Sequence, residues 1–417
     1  MSNSLLLKKN KKVIAYIVPD LGISGGIAVV LNHVNRLKKR GYETIIFSVN
    51  PNFGDIDWFS NEVDVYPLKN AYGKFYNQIG VIIATHWSTV QYLKKIKADR
   101  KVYFVQSDER RFFPTDENIR KINETYEMDV EYMTEAIWIQ RWLKEEFGHD
   151  VYYVPNGIDE KIFYPTEPLI SKKKKKRVLL EGPIDIWFKG MNESYKAIKD
   201  LNCEIWIVSS FGFPLSGWHY NAFFNCVPFT EMNKIYSSCD ILLKMSKVEG
   251  FFGPPIEAMS CGCAVVVGKV TGYDEYIKDG YNALVVDQSD IEGAKRAVKT
   301  LIDDKNLRNK LIENGKKTAK EWNWDRSIDF LEKMIKKEKV EVFYENDFPE
   351  KYDYIRALKE AKMNFDDFFQ ARCKTENPEK LQEVIERKNR EIEFIKSSKF
   401  WKIREYYIKM KKLILGH

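Results

Sequence analysis

Short apolar runs and longer amphipathic stretches alternate along the first half of the chain. VIAYIV at residues 13–18 predicts a buried strand. Residues 27–39 put Ile27, Val30, Leu31, Val34 and Leu37 on one helical face. Residues 43–49, 81–85, 101–106 and 151–155 repeat the strand signal, with helical patterns between several of them. Nearly continuous apolar strands joined by helices predict a parallel sheet covered on both faces. After the basic run of residues 171–177, read as a solvated linker, the pattern restarts. Strand signals follow at 178–182, 204–210, 241–246, 264–268 and 283–286, again with helices between them.

Two successive parallel α/β domains are the simplest reading, at residues 1–160 and 161–340. Helices at about 290–303 and 307–338 are expected to close the second. From about residue 345 the strand signals stop. Residues 341–417 read as a helical tail, with Pro378 introducing a long charged stretch.

The 417 residues are 44% hydrophobic and 14% aromatic, which excludes a wholly disordered chain. No run approaches the roughly 18–20 apolar residues that span a bilayer. The first residues hold only a three-residue apolar run, too short for a secretion signal, so a cytoplasmic protein is expected. The six cysteines, at 203, 226, 239, 261, 263 and 373, lack metal-site spacing and read as small core residues. Net charge is +7, and residues 396–412 alone carry seven basic residues against one acidic. The predicted domains are therefore nearly neutral, which disfavours nucleic acid as a partner.

The segment with the sharpest chemistry runs from Glu249 to Glu257, EGFFGPPIE. A strand precedes it, two prolines suit a first helical turn, and a strand follows from Ala264. A helix start beside a glycine loop offers free backbone N–H groups and a favourable dipole to an anion such as a diphosphate. Gly250 and Gly253 are expected to let the backbone approach a ligand. Glu249 in the loop and Glu257 in the first turn can both face it.

This segment resembles the E-x7-E signature of retaining GT-B glycosyltransferases, especially the family 4 group. The resemblance, with gaps, covers about residues 13–335. It implies two Rossmann-like domains facing across a cleft, an N-terminal acceptor domain and a C-terminal donor domain. It implies that Glu257 holds the ribose of a nucleotide-sugar and Glu249 contacts the donor sugar. Loop amides of Gly250, Phe251, Phe252 and Gly253 would bind sugar and phosphates. Phe252 stands at the pattern's usual glycine position. Lys189-Gly190 matches the lysine of a G-R-x(n)-K-G diphosphate motif, with Pro183 where the arginine is expected. Gly22-Ile-Ser-Gly25-Gly26 resembles the first glycine loop of the N-terminal domain, near the donor phosphates. His86, at a strand's carboxyl end, matches a histidine that contacts the donor sugar. Residues 106–110 follow another strand and are expected to line the acceptor side. With Gly182-Pro183-Ile184 they resemble bacterial polysaccharide rhamnosyltransferases.

The expected activity is transfer of a sugar, with retention and without a metal or other cofactor, to a glycan or lipid-linked acceptor in cell-surface polysaccharide synthesis. The rivals are a GT-B epimerase or hydrolase and a non-catalytic assembly subunit. A metal-dependent GT-A enzyme would need a DxD at a strand end, and Asp55-Ile-Asp57 reads as a polar loop. A dinucleotide-dependent oxidoreductase lacks GxGxxG. In the tail, Leu381, Ile385, Ile392 and Ile395 make a short coiled-coil-like stripe. Aromatic and aliphatic residues then interleave with the lysines, as in an interfacial helix. Residues 378–417 are expected to meet an anionic membrane, on the inner face of the plasma membrane, or a partner helix.

Overall fold

The computed structural model describes residues 12–51, 56, 58–171, 174–345 and 348–375. Asp55, Asp57 and the segment 378–417, on which the DxD and tail readings rest, lie outside them. The first sheet holds β1 (Val13–Val18), β2 (Thr44–Ser48), β3 (Asp64–Pro67), β4 (Ile79–Ala84), β5 (Arg100–Val105), β6 (Glu131–Thr134) and β7 (Val151–Tyr153). Its order is β3-β2-β1-β4-β5-β6-β7 and every pairing is parallel. The second sheet holds β8 (Arg177–Glu181), β9 (Glu204–Ser209), β10 (Ala222–Asn225), β11 (Ile241–Lys244), β12 (Ala264–Gly268) and β13 (Leu284–Val286). Its order is β10-β9-β8-β11-β12-β13, also all parallel. Two Rossmann-like sheets within one chain are the GT-B architecture that the strand pattern predicts.

Each sheet is buried on both faces. Along β1, Ala15 and Ile17 enter one core while Ile14, Tyr16 and Val18 enter the other. The same division separates Leu179 from Val178 and Leu180 on β8. This two-sided burial is why these strands read as unbroken apolar runs. The strand order reverses between β1 and β4 in one sheet and between β8 and β11 in the other. Open α/β sheets bind ligands beyond the carboxyl ends of the strands at such reversals. Four loops leave these ends, and they carry Gly25-Gly26, His86, Lys189 and Glu249.

Two expectations about the chain's end are corrected. The predicted helix at 307–338 is two helices, Lys305–Glu321 and Trp324–Ile335. Asn323 starts the second, its side chain accepting the Arg326 amide at 3.0 Å. That second helix leaves the second sheet, and Trp324, Ile328, Leu331 and Met334 pack into the core of the first. The crossing passes Gly157, where a Cβ would come within 2.5 Å of the Trp324 nitrogen. Residues 341–345 and 348–353 are not helical either. Phe343 packs on Tyr153, and Tyr352 donates to Asp108 at 2.6 Å, so this stretch straps onto the first sheet. Helix resumes at Tyr354–Thr375. Both sheets lie in a unit that ends at Lys362; the residues from Met363 form a second unit. Among the described residues no helix is long and apolar enough to cross a membrane.

Candidate active site

Lys189 and Glu249 come from different strand-to-helix connections, after β8 and β11, and meet. The lysine Nζ lies 3.0 and 2.9 Å from the two carboxylate oxygens. The glutamate side chain is only 9% exposed and the lysine 21%, so the pair is largely shielded from water. Lys189 closes a single 3-10 turn, Trp187–Lys189, which ends on Gly190 with φ of 61°. A Cβ at Gly190 would collide with the Met245 carbonyl, so glycine here lets the β8 loop lie against the end of β11.

Glu257 sits farther along than expected. The helix is Gly253–Ser260, with two prolines inside its first turn, and Glu257 is in its second turn. It has its own partner: the Tyr236 hydroxyl donates to it at 3.0 Å. Its Oε1 lies 3.7 Å from the position a Cβ would take on Gly253, so it runs alongside the helix start. Burial, then the charge of Glu181, pushes its carboxyl up to about 8, against the pull of Tyr236 and Lys244.

Two of the four loop amides between the glutamates have partners within the protein. The Phe251 N–H donates to the Glu135 carboxyl at 3.1 Å, and the Gly253 N–H to the Phe251 carbonyl at 3.0 Å. Gly250 makes a close approach within the protein: a Cβ there would collide with the Gln106 carbonyl just beyond β5. The Gly250 carbonyl accepts from Trp138 Nε1 at 3.0 Å, and that of Glu249 from the Ser107 hydroxyl at 3.2 Å. Phe251 and Phe252 bury their rings in the second core. The loop is thus clamped by the first domain.

Gln106 ties three motifs together. Its side chain donates to the Thr85 carbonyl at 3.0 Å, beside His86, and lies 2.9 Å from where a Cβ would stand on Gly26. Gly26 therefore has a packing role, while Gly25, exposed in the first turn of Gly25–Lys39, faces open space. His86 is partly exposed, and its Nδ1 accepts the Ser88 amide at 3.3 Å. The neutral ring then carries its proton on Nε2, 3.7 Å from Glu109. Burial lowers its pKa to about 4, so it is uncharged at neutral pH. The expectation that residues 106–110 line an acceptor surface is corrected: Asp108, Glu109 and Arg110 are all buried. Arg110 is locked by Asp108 and Glu146, each at 2.8 Å.

Sequence reasoning missed several residues around the loop. Glu135 lies just beyond β6, a strand that was not foreseen, and also accepts from Asn156 at 3.0 Å. Burial pushes its carboxyl up to about 7. Arg111 reaches Thr271 and the Lys247 carbonyl at 3.1 and 3.0 Å. Nothing local marks these residues. Lys244 and Glu181 were visible as charges inside the apolar strands ILLK and RVLLE. Cys226 is exposed, contrary to the core reading, whereas Cys203, Cys239, Cys261 and Cys263 are buried; the side chain of Cys373 is not among those described. Among the described residues no three His, Cys, Asp or Glu side chains are grouped to hold a metal.

Residues 222–318, which contain both glutamates, match the family model described as Glycosyl transferases group 1. The chain is 31% identical over 181 residues to an uncharacterized glycosyltransferase of Methanocaldococcus jannaschii, covering 40% of this chain and 46% of that one. It is 25% identical over 205 residues to the N,N'-diacetylbacillosaminyl-diphospho-undecaprenol alpha-1,3-N-acetylgalactosaminyltransferase of Campylobacter jejuni, covering 43% and 53%. The matches thus span about half, or less, of these curated relatives' length. The fold is similar to Anabaena HepE, solved in complex with UDP-glucose, with a TM-score of 0.64, 13% identity, and 78% and 100% of the two chains covered. Fold, signature and family model agree: residues 222–318 carry the group 1 glycosyltransferase pattern, and the chain has the GT-B fold.

Proposed function

We propose that the chain is a retaining glycosyltransferase that binds a nucleoside diphosphate sugar at the loops after β8 and β11. The observation that carries this is the meeting of Lys189 with Glu249 beside the helix that holds Glu257. A cation, a helix start and two carboxylates are what a diphosphate flanked by sugar and ribose requires: positive charge in the middle, acceptors for hydroxyls on both sides. Lys189 and the helix dipole stabilise charge as it develops on the leaving diphosphate. Glu249 accepts from donor-sugar hydroxyls and Glu257 from the ribose. His86, neutral and reaching the site from β4, donates through Nε2 without adding charge.

The reaction needs no metal ion, because Lys189 and backbone dipoles carry the phosphate charge. The acceptor is a glycan or a lipid-linked glycan of surface polysaccharide synthesis, which the lipid-linked substrate named for the Campylobacter relative supports. The test incubates the chain with nucleotide-sugars and acceptor glycans, with and without EDTA, and follows the anomeric centre by NMR. Transfer with retained configuration, unchanged by EDTA, is expected. Release of free sugar alone would favour the hydrolase or epimerase reading instead.

The basic, aromatic-rich segment 396–412 brings the enzyme to an anionic membrane near that acceptor, each basic residue adding about 1 kcal/mol at low salt. Removing residues 396–417 is expected to abolish sedimentation with anionic vesicles while nucleotide binding survives. A full-length chain that ignores such vesicles at low salt would leave a partner helix as the tail's target.

A further inference from the structure

Among the described residues, Lys244 is the one fully buried lysine, 2% exposed at the end of β11. Its ammonium donates to the Glu181 carboxylate at 2.5 Å and to the Glu181 carbonyl at 2.9 Å, across neighbouring parallel strands. An ammonium without water needs a reason. Replacing a buried ion pair by apolar side chains is often neutral or stabilising, so stability does not explain it. Position does. The Lys244 Nζ lies 3.4 Å from where a Cβ would stand on Gly182, and Lys189 Cβ lies 3.5 Å from the same point. The buried ammonium is therefore directly beneath the loop that carries Lys189. Burial alone would lower its pKa, but the charges of Glu181, Glu249 and Glu257 outweigh burial and hold it above the usual lysine value. Those are the three carboxylates that converge on the candidate site.

We propose that Lys244 is a positioning residue for nucleotide binding: from its seat under Gly182 it fixes Glu181 and offsets the negative charge that Glu181, Glu249 and Glu257 concentrate around a phosphate site. Without it, three carboxylates would oppose an incoming diphosphate with Lys189 as the nearest counter-charge. The groups that face Glu257 define how this reads out. They are Glu181 from β8, Lys244 from β11, Tyr236 from the helix Met232–Ser238, Cys261 at the end of its own helix, and Tyr276. Of these, Glu181 favours the protonated acid and Lys244 the carboxylate.

The inference rests on the donor-site reading, and the experiment separates the two. Calorimetry of the full chain with UDP, GDP, ADP and dTDP between pH 6.5 and 9 first asks whether any binds; if none does, the donor reading fails and this inference with it. Affinity should rise with pH as Glu257 ionises; for the nucleotide that binds, Lys244→Met is expected to weaken it at least about tenfold and to move that pH limb upward. Glu181→Gln removes the opposite charge; it is expected to tighten binding about three- to tenfold and to move the limb downward. Opposite signs from two partners of one pair are what a merely structural role cannot give, since losing packing weakens both. Should Lys244→Met fail to fold by circular dichroism, Glu181→Gln decides alone. Unchanged or weaker binding in folded Glu181→Gln, or wild-type affinity and pH profile in folded Lys244→Met, overturns the proposal.

Discussion

The Lys189 ammonium touches both carboxylate oxygens of Glu249, at 2.9 and 3.0 Å. Two groups assigned to different parts of the donor thus hold each other. A diphosphate gives Lys189 a second anionic partner and releases Glu249 toward sugar hydroxyls. Lys189→Met should weaken nucleoside diphosphate binding roughly ten- to a hundredfold, the about 1.5–3 kcal/mol of a hydrogen bond to a charged group. Glu249→Gln should keep or tighten that binding, because a diphosphate without sugar does not use the glutamate and is opposed by its charge, yet slow sugar transfer at least about tenfold. Calorimetry and initial rates on both variants check this. Equal loss of diphosphate affinity in the two would show the pair to be a structural brace.

Glu257 gives the affinity a pH dependence with a defined sign. Burial and Glu181 push its carboxyl up to about 8, so near neutrality the free protein holds it largely protonated. A carboxylate accepts two ribose hydroxyls, and the protonated acid has lost part of that capacity. Nucleotide-sugar affinity should therefore rise as pH goes from about 7 to 9 and level off above. In Glu257→Gln the rise should vanish. Affinity that falls over this window in the wild type would contradict the assignment.

Gly250 predicts how the two domains depend on each other. Its missing side chain lets the glutamate loop lie on the Gln106 carbonyl, where Glu135, Ser107 and Trp138 bond to it. A methyl group at this point meets backbone, which cannot rotate away. Gly250→Ala should cost about 2–4 kcal/mol in chemical denaturation and slow sugar transfer as well, since Glu249 is the adjacent residue. Wild-type stability in this variant would mean that the contact with β5 is not maintained in solution.

How far the sequence carried differs between fold and site. Most of the strands that were foreseen have both faces buried and are apolar without interruption, though β13, also foreseen, is only partly buried. Those missed were β3 and β10 at sheet edges, where DVYP and AFFN are only partly buried, and the four-residue β6. The helix Trp324–Ile335 was read as the end of one longer helix, and its partner was not foreseen, because an amphipathic face does not say which sheet it covers. At the site, Lys189, Glu249 and Glu257 were named from local motifs, and their strand ends do bring Lys189 and Glu249 together. What each side chain binds was not legible. The Lys189–Glu249 pair, the Tyr236–Glu257 bond and the capture of the Phe251 amide by Glu135 join residues 60, 21 and 116 positions apart. Such pairings follow from sheet order, which a local pattern does not contain.

The central claim, that this chain holds a nucleoside diphosphate between Lys189 and Glu257, is tested most directly by titrating UDP, GDP, ADP and dTDP into the wild type and Glu257→Ala in a calorimeter at pH 8.5. The account predicts saturable binding of at least one of the four, weakened roughly ten- to a hundredfold by the substitution, as expected for the loss of about 1.5–3 kcal/mol from a charged acceptor. No binding of any of them, or an unchanged Kd in Glu257→Ala, would contradict it.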